Sequence, residues 1–78
     1  MTKEELAAEA QRIKENDAAQ AIVAGIRSVA LEELSRADPT DADAIRKHQA
    51  IVMVADTFFS MIDAYVSNGQ PKKPAGIV

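Results

Sequence analysis

Apolar side chains in the second half of the chain follow the period of an α-helix. Two neighbouring stripes alternate steps of three and four residues, as in a helix that packs against other helices. Together they cover about half of the helix circumference, which is more than one neighbouring helix buries. The pattern therefore predicts a helix with two packing partners. The inner stripe comprises Ile45, His48, Val52, Ala55, Phe59, Ile62 and Val66, and the outer stripe comprises Ile51, Val54, Phe58, Met61 and Tyr65.

The first half of the chain also has helical periodicity, with one interruption. Thr2 and Glu5 have the spacing of a capping box, so a helix is expected to begin beside them. Asn16-Asp17 then places two poor helix formers in the chain, and Asp17 with Gln20 has the spacing of a second capping box. We expect one continuous or gently bent helix over residues 3–37, with a kink at Asn16-Asp17 as the alternative. Its main apolar stripe comprises Ala19, Ile22, Val23, Ile26, Val29, Ala30 and Leu34.

A break is predicted at Asp38-Pro39-Thr40, because proline disfavours helical geometry at the residue before it. Thr40, with Asp43 three residues later, predicts the N-cap of a second helix over residues 41–67. Asn68-Gly69 has the composition of a left-handed C-cap and is expected to end that helix.

The short connection between two long helices predicts an all-α fold, an antiparallel two-helix hairpin that makes residues 1–69 one domain. The inner stripe of the second helix then packs against the first helix. In this hairpin Val23 faces Ala55 and Ala30 faces His48, so small residues oppose larger ones, as close packing requires.

The tail, residues 70–78, has two prolines and a glycine but no apolar period, so we expect it to be extended. One interpretation is an unstructured terminus. The other is a contact with a partner, in which Lys72 and Lys73 meet an acidic surface while Ile77 and Val78 insert as an anchor.

Size and composition restrict the class of protein. A chain of 78 residues forms one small domain with little net stability of its own. It has no cysteine for a disulfide, and its single histidine cannot form a zinc site alone. The N-terminus lacks the apolar core of a secretory signal, and Asp56 and Asp63 interrupt the longest apolar run, so we expect no signal and no membrane span. We therefore predict a helical protein that obtains part of its core from a partner.

Candidate catalytic and metal-binding side chains have simpler structural explanations. His48 has no nucleophile or acid at matching spacing, so we expect it to be partly buried. Asp56 and Asp63 lie roughly 10 Å apart along the helix, farther than paired catalytic carboxylates, and we expect them to be solvated or in salt bridges. Arg12 and Lys14 are the partners considered for Asp63.

The acidic cluster Asp38, Asp41 and Asp43 resembles a calcium loop only superficially. An EF-hand loop starting at Asp38 requires glycine at its sixth position and glutamate at its twelfth, where this chain has Asp43 and Gln49. Helix capping is the better explanation. We therefore predict no catalytic residue, no cofactor and no metal site.

Two surfaces are candidates for a partner interface. One is the outer stripe. The other is a seam of small residues on the back of the first helix, Ala18, Ala21, Gly25 and Ser28. Glycine in a helix interior costs about 1 kcal/mol relative to alanine, and close approach of another backbone is one reason to tolerate it. An alanine-rich face exposed to solvent is the alternative interpretation.

Several short segments occur in a characteristic order along the chain. They are Ala10–Asp17, Gln20, Ile26-Arg27, Leu31–Leu34, Asp38–Asp41, Ala44–Arg46 and a closing helix that stops before Gly69. This order resembles the small helical proteins encoded among the head and packaging genes of tailed phages and prophages. The resemblance implies a non-enzymatic structural or assembly protein, located in the virion or the host cytoplasm. Its partners would be further copies of itself or a phage head, portal or other virion protein.

The alternative function is a small regulatory or nucleic-acid-associated adaptor, such as a packaging or transcription accessory factor. It requires a basic face, for which the candidates lie near the turn: Arg27, Arg36, Arg46 and Lys47. A net charge of −3 disfavours nonspecific binding to nucleic acid.

Overall fold

The computed structural model describes residues 1–69, which form three α-helices. Helix α1 spans Lys3–Glu15, α2 spans Asp17–Arg36 and α3 spans Ala42–Gly69. α1 and α2 follow one another along the length of α3 and run antiparallel to it. Each packs extensively against α3, and the two have much less contact with one another. The all-α prediction is therefore confirmed.

The predicted two-helix hairpin is wrong, because Asn16 separates α1 from α2. Asn16 has an extended backbone (φ −87°, ψ 102°), and its side-chain oxygen accepts a hydrogen bond from the Ala19 N–H at 3.0 Å. Its own N–H donates to the Ile13 carbonyl at 3.1 Å, and the Gln20 side chain donates to the same carbonyl at 3.1 Å. Asparagine is favoured at a cap because its short side chain satisfies helix-end donors. The N-cap is thus Asn16, one residue before the position that the sequence pattern predicted.

The predicted capping box at the start of α1 is confirmed. The Glu5 N–H donates to the Thr2 hydroxyl at 3.0 Å, and the Thr2 N–H donates to the Glu5 carboxylate at 3.1 Å. The hydrogen bond from the Thr2 backbone, and next the one from the Thr2 side chain, lower the pKa of Glu5, because the ionised carboxylate is the better acceptor.

The turn before α3 uses aspartate where threonine was predicted as the cap. The Thr40 N–H and hydroxyl donate to Asp38 Oδ1 at 2.8 and 2.7 Å. These bonds, the side-chain one first, lower the pKa of Asp38. Because the Thr40 hydroxyl is engaged there, the cap is Asp41, whose carboxylate accepts from the Ala44 N–H at 3.1 Å. α3 accordingly begins at Ala42.

The predicted left-handed cap at Asn68-Gly69 is also wrong, since α3 continues through Gly69. Gly69 does not have the positive φ angle of such a cap. Glycine is required at this position for a different reason. A Cβ at this position would overlap the Ala7 Cβ and lie 3.3 Å from the Lys3 carbonyl oxygen, so glycine allows the end of α3 to approach the start of α1 closely.

The buried core of the described chain is small and lies along α3. Ile62 and Val66 pack with Ala10, and the half-buried Phe58 and Tyr65 pack against this cluster. Ala30 and Ala55 are the other buried apolar residues. Three of the five buried residues are alanines, so the helices approach closely but bury little apolar surface.

The two-stripe pattern of α3 predicted its surroundings correctly in part. Every residue of the inner stripe is buried or half-buried. The two partners of α3 are α1 and α2 of the same chain, because the break at Asn16 allows each helix to take its own position. α1 covers the C-terminal half of α3, and α2 covers the N-terminal half.

Candidate functional site

The acidic side chains on α3 join it to the other two helices. Asp63 forms a salt bridge with Lys14 of α1 at 3.0 Å, which is one of the two partners predicted for it. Asp56 forms a salt bridge with Arg27 of α2 at 2.7 Å. All four side chains are between 40% and 64% exposed, and such pairs contribute about 0–1 kcal/mol each. They align the helices more than they stabilise them.

His48 lies beside Ala30, as the predicted hairpin pairing requires, and is half-buried. Its Nδ1 atom is buried and has no hydrogen-bond partner among residues 1–69. In the same part of the chain, no three His, Cys, Asp or Glu side chains are grouped so that they could hold a metal ion.

The most prominent surface feature is an apolar groove between α2 and α3, here called the α2–α3 groove. Its central section has a volume of about 310 Å³. A second section shares Ile26 and Ile51 with it and extends towards the turn, past Val29 and His48. A third section on α3 shares Ala50 and Val54 with the central one. The central section is lined by Val23, Ile26, Ala50, Ile51, Val54, Ala55 and Phe58.

Large apolar side chains around this groove remain more than half exposed, from 51% for Ile26 to 69% for Val54. Ile26 and Val54 line the central section directly. A contiguous apolar patch of this kind is typical of an interaction surface. Four such side chains line its three sections: Ile26, Val29, Met53 and Val54.

The exposure follows from where α1 ends. Lys14, in the last turn of α1, pairs with Asp63, so α1 covers only the part of α3 beyond the groove. α2 meets the N-terminal half of α3 through small residues, of which Ala30 and Ala55 are buried. The outer side of that half of α3 therefore has no covering helix within residues 1–69.

The predicted outer stripe is divided by this arrangement. Phe58 and Tyr65 pack against the core cluster under α1. Ile51 is half-buried in the groove, whereas Val54 and Met61 are 69% and 43% exposed. The groove thus contains the N-terminal part of the stripe.

The predicted small-residue seam is exposed beside the groove. Ala18, Ala21, Gly25 and Ser28 are all exposed, and Gly25 lines the second section. A Cβ added to Gly25 would meet nothing within 4 Å. The predicted tail contacts, Lys72, Lys73, Ile77 and Val78, lie outside the described residues.

The sequence pattern placed three exposed residues of α2 in the packing face of the first helix, and this was wrong. Ile22, Ile26 and Val29 are exposed; of the same stripe, Ala19, Val23 and Leu34 are half-buried and Ala30 is buried. The width of the apolar stripe was the sequence feature that could have indicated this exposure. It contains two parallel rows, and one helix partner covers only one of them.

The candidate basic face near the turn is partly neutralised. Arg27 is paired with Asp56, and Arg36 pairs with Glu32 at 2.9 Å and Glu33 at 4.0 Å. Arg46 and Lys47 take part in no salt bridge with the described part of the chain, and Lys47 lies at the turn end of the groove.

α3 is the one helix within residues 1–69 that has the length and composition to cross a membrane. Core helices of water-soluble proteins also satisfy this criterion. Asp56 and Asp63 lie within it, and both are in salt bridges with the other helices.

Residues 1–69 form an all-α structure in which two shorter helices pack against one long helix. Comparison with known proteins finds no matching family model, no matching curated protein and no matching solved structure.

Proposed function

We propose that this chain is a non-enzymatic structural or interaction protein that acts by packing its α2–α3 groove against another protein. The partner is a further copy of the chain or a larger assembly, and the resemblance to phage head and packaging proteins suggests a virion or an assembling particle. The groove itself is the observation that carries the proposal. Its sections are apolar and share residues with one another, and four large side chains that line them are more than half exposed.

The thin core supports a role that depends on a partner. Only Ile62 and Val66 among the large side chains of residues 1–69 are buried. Fully burying one such side chain contributes about 1.5–3 kcal/mol. Ile26 is 51% and Val54 69% exposed, so covering both would add roughly half to two-thirds of the stabilisation expected from fully burying two such side chains.

The acidic side chains support a non-enzymatic role, because four of the five considered as a site have a structural partner within residues 1–69. Asp56 and Asp63 are in salt bridges, Asp38 binds Thr40 and Asp41 caps α3. Nucleic acid is not the proposed partner, because the salt bridges of Arg27 and Arg36 neutralise half of the candidate basic residues.

Oxidative footprinting of the three methionines tests this proposal. Met53 borders the groove and is 68% exposed, whereas Met1 is 83% exposed and serves as the internal reference. The measured quantity is the oxidation rate of Met53 divided by that of Met1. We expect this ratio to be several-fold lower in cells that naturally produce the protein than in the purified chain at high dilution. Equal relative rates in the two settings would show that nothing covers the groove, and the proposal would be rejected.

A further inference from the structure

We infer that the occupant of the α2–α3 groove is a second copy of this chain, bound about an antiparallel twofold axis so that the two α2–α3 layers form a four-helix bundle. This inference rests on the proposed function and specifies its partner. The groove runs between two antiparallel helices, and a second pair of antiparallel helices has the complementary shape. A twofold interface uses the same patch on both copies, so the exposed side chains of one copy cover those of the other.

The exposed area matches what a stable dimer requires. From their exposed fractions, the four groove side chains present on the order of 400 Å² of apolar surface per copy, close to the apolar share of the roughly 800 Å² that each partner buries in a standard interface. The need for this burial is a property of every copy of the chain, because each has the same small core. In a dimer of two identical chains, each copy covers the groove of the other, so both gain the same apolar burial.

The charges of the groove permit self-association in one orientation. Among residues 1–69, Lys47 is the one permanently charged residue that lines any of its three sections, and it lies at the turn end. Phe58 marks the other end, roughly 16 Å away along α3. An antiparallel twofold axis near Ile51 and Val54 places the two Lys47 side chains at opposite ends, so they do not repel one another. A parallel arrangement would bring them together.

Gly25 provides a separate reason to expect another backbone nearby. Glycine in a helix interior is destabilising relative to alanine, and a Cβ at this position would meet no atom of residues 1–69 within 4 Å. The fold of one copy therefore gives no reason for glycine. Gly25 lines the groove beside Ile26 and Val29, where a symmetry-related helix would approach closely.

The test is the molar mass of the full chain by light scattering after size exclusion, from low micromolar to millimolar concentration. We expect twice the chain mass of 8.4 kDa. Val54→Asp should weaken the dimer about 100-fold or more, because it places a carboxylate in the apolar interface of each copy. Leu31→Asp is the matched control: Leu31 is an exposed apolar residue of α2 that lines no section of the groove, and its replacement should leave the dimer intact. Gly25→Leu should weaken the dimer about tenfold while retaining the helical circular dichroism spectrum.

Cysteine cross-linking keeps the inference testable if Val54→Asp fails to fold. The chain has no cysteine of its own, so single substitutions report without interference. Val54→Cys, near the twofold axis, should form a disulfide-linked dimer under mild oxidation, and Leu31→Cys should not. Equal cross-linking of the two variants would contradict the proposed interface.

A folded monomer at all concentrations would overturn the second-copy inference. If Met53 were nevertheless protected in the producing cells, the proposed function would stand with a foreign protein as partner. If that monomer instead bound vesicles of phosphatidylcholine and phosphatidylglycerol through the groove, both the second copy and the protein-interaction function would be rejected. An unprotected Met53 in a folded monomer would likewise reject both.

Discussion

Gly69 lies so close to Ala7 that a Cβ on the glycine would overlap the Cβ of the alanine. The contact joins the last turn of α3 to the first turns of α1 and closes the end of the molecule away from the α2–α3 turn. Glycine at a predicted helix end is usually explained by its backbone freedom. Here it is explained by the space between two helices.

We predict that Gly69→Ala destabilises the protein by about 1–3 kcal/mol, because the added methyl group forces α1 and α3 apart. Urea denaturation followed by circular dichroism measures this difference. Gly25→Ala is the matched control, since a Cβ there contacts none of the described residues of the same chain. At a concentration where the chain is monomeric, it should stabilise the protein by up to about 1 kcal/mol. Equal effects of the two substitutions would show that α1 does not pack closely at Gly69.

Asn16 lies between α1 and α2, and its side chain caps α2 through the Ala19 N–H. We predict that Asn16→Ala costs about 1 kcal/mol of stability, within the range of about 0.5–2 kcal/mol for loss of a cap. Alanine also favours one continuous helix, so helix content should not fall. Thermal and urea denaturation measure the loss.

Asn16→Asp is the control for this prediction, because aspartate is an equally good N-cap and should preserve the stability. If Asn16→Ala were as stable as the natural chain, the break between α1 and α2 would owe nothing to the cap.

The sequence predicted the fold where one local interaction decides the structure. Thr2 and Glu5 form the expected capping box, and the inner stripe of α3 packs inward along its whole length. The prediction from sequence was wrong where two local structures both fit the same residues. Asn16 fits both a bent helix and a cap, and the cap was selected because α1 and α2 each pack separately against α3. At the turn, Thr40 and Asp41 are both residues that favour an N-cap. Asp41 is the cap because the N–H and hydroxyl of Thr40 are hydrogen-bonded to Asp38.

The candidate groove was predicted only from its α3 side. Ile51 and Val54 belong to the outer stripe, but the α2 side of the groove was assigned to the core. Whether Ile26 faces α3 or solvent depends on how α2 is rotated about its axis. The contacts at Ala30 and Ala55 fix that rotation, and the periodicity of α2 alone does not specify it.

The capping box at Glu5 predicts a measurable pH dependence. The pKa of Glu5 in the folded chain is lowered from its ordinary value of 4.5 by the hydrogen bonds with Thr2. A carboxyl group with a lowered pKa stabilises the fold above the unfolded pKa, and this contribution is lost as the pH falls through the folded value. Glu5→Gln should therefore differ from the natural chain in stability above about pH 4.5 and converge with it in more acidic solution.

Urea denaturation of the two proteins between pH 2.5 and 7, in steps of about half a unit, measures this difference. Glu4→Gln is the control, because no backbone N–H within residues 1–69 donates a hydrogen bond to the Glu4 side chain. A stability difference for Glu5→Gln that stays constant across the whole range would contradict the proposed origin in ionisation.

His48 leads to the last prediction, because its Nδ1 atom is buried without a hydrogen-bond partner among the described residues. A buried polar atom without a partner costs about 1–3 kcal/mol. His48→Leu removes that atom and retains an apolar contact with Ala30, so we expect stability to rise by about 1 kcal/mol at neutral pH. His48→Asn retains a polar side chain of smaller volume and should be destabilising. Thermal denaturation of the three proteins measures the order, and a loss of stability in His48→Leu would mean that Nδ1 is satisfied in solution, by water or by a partner across the groove.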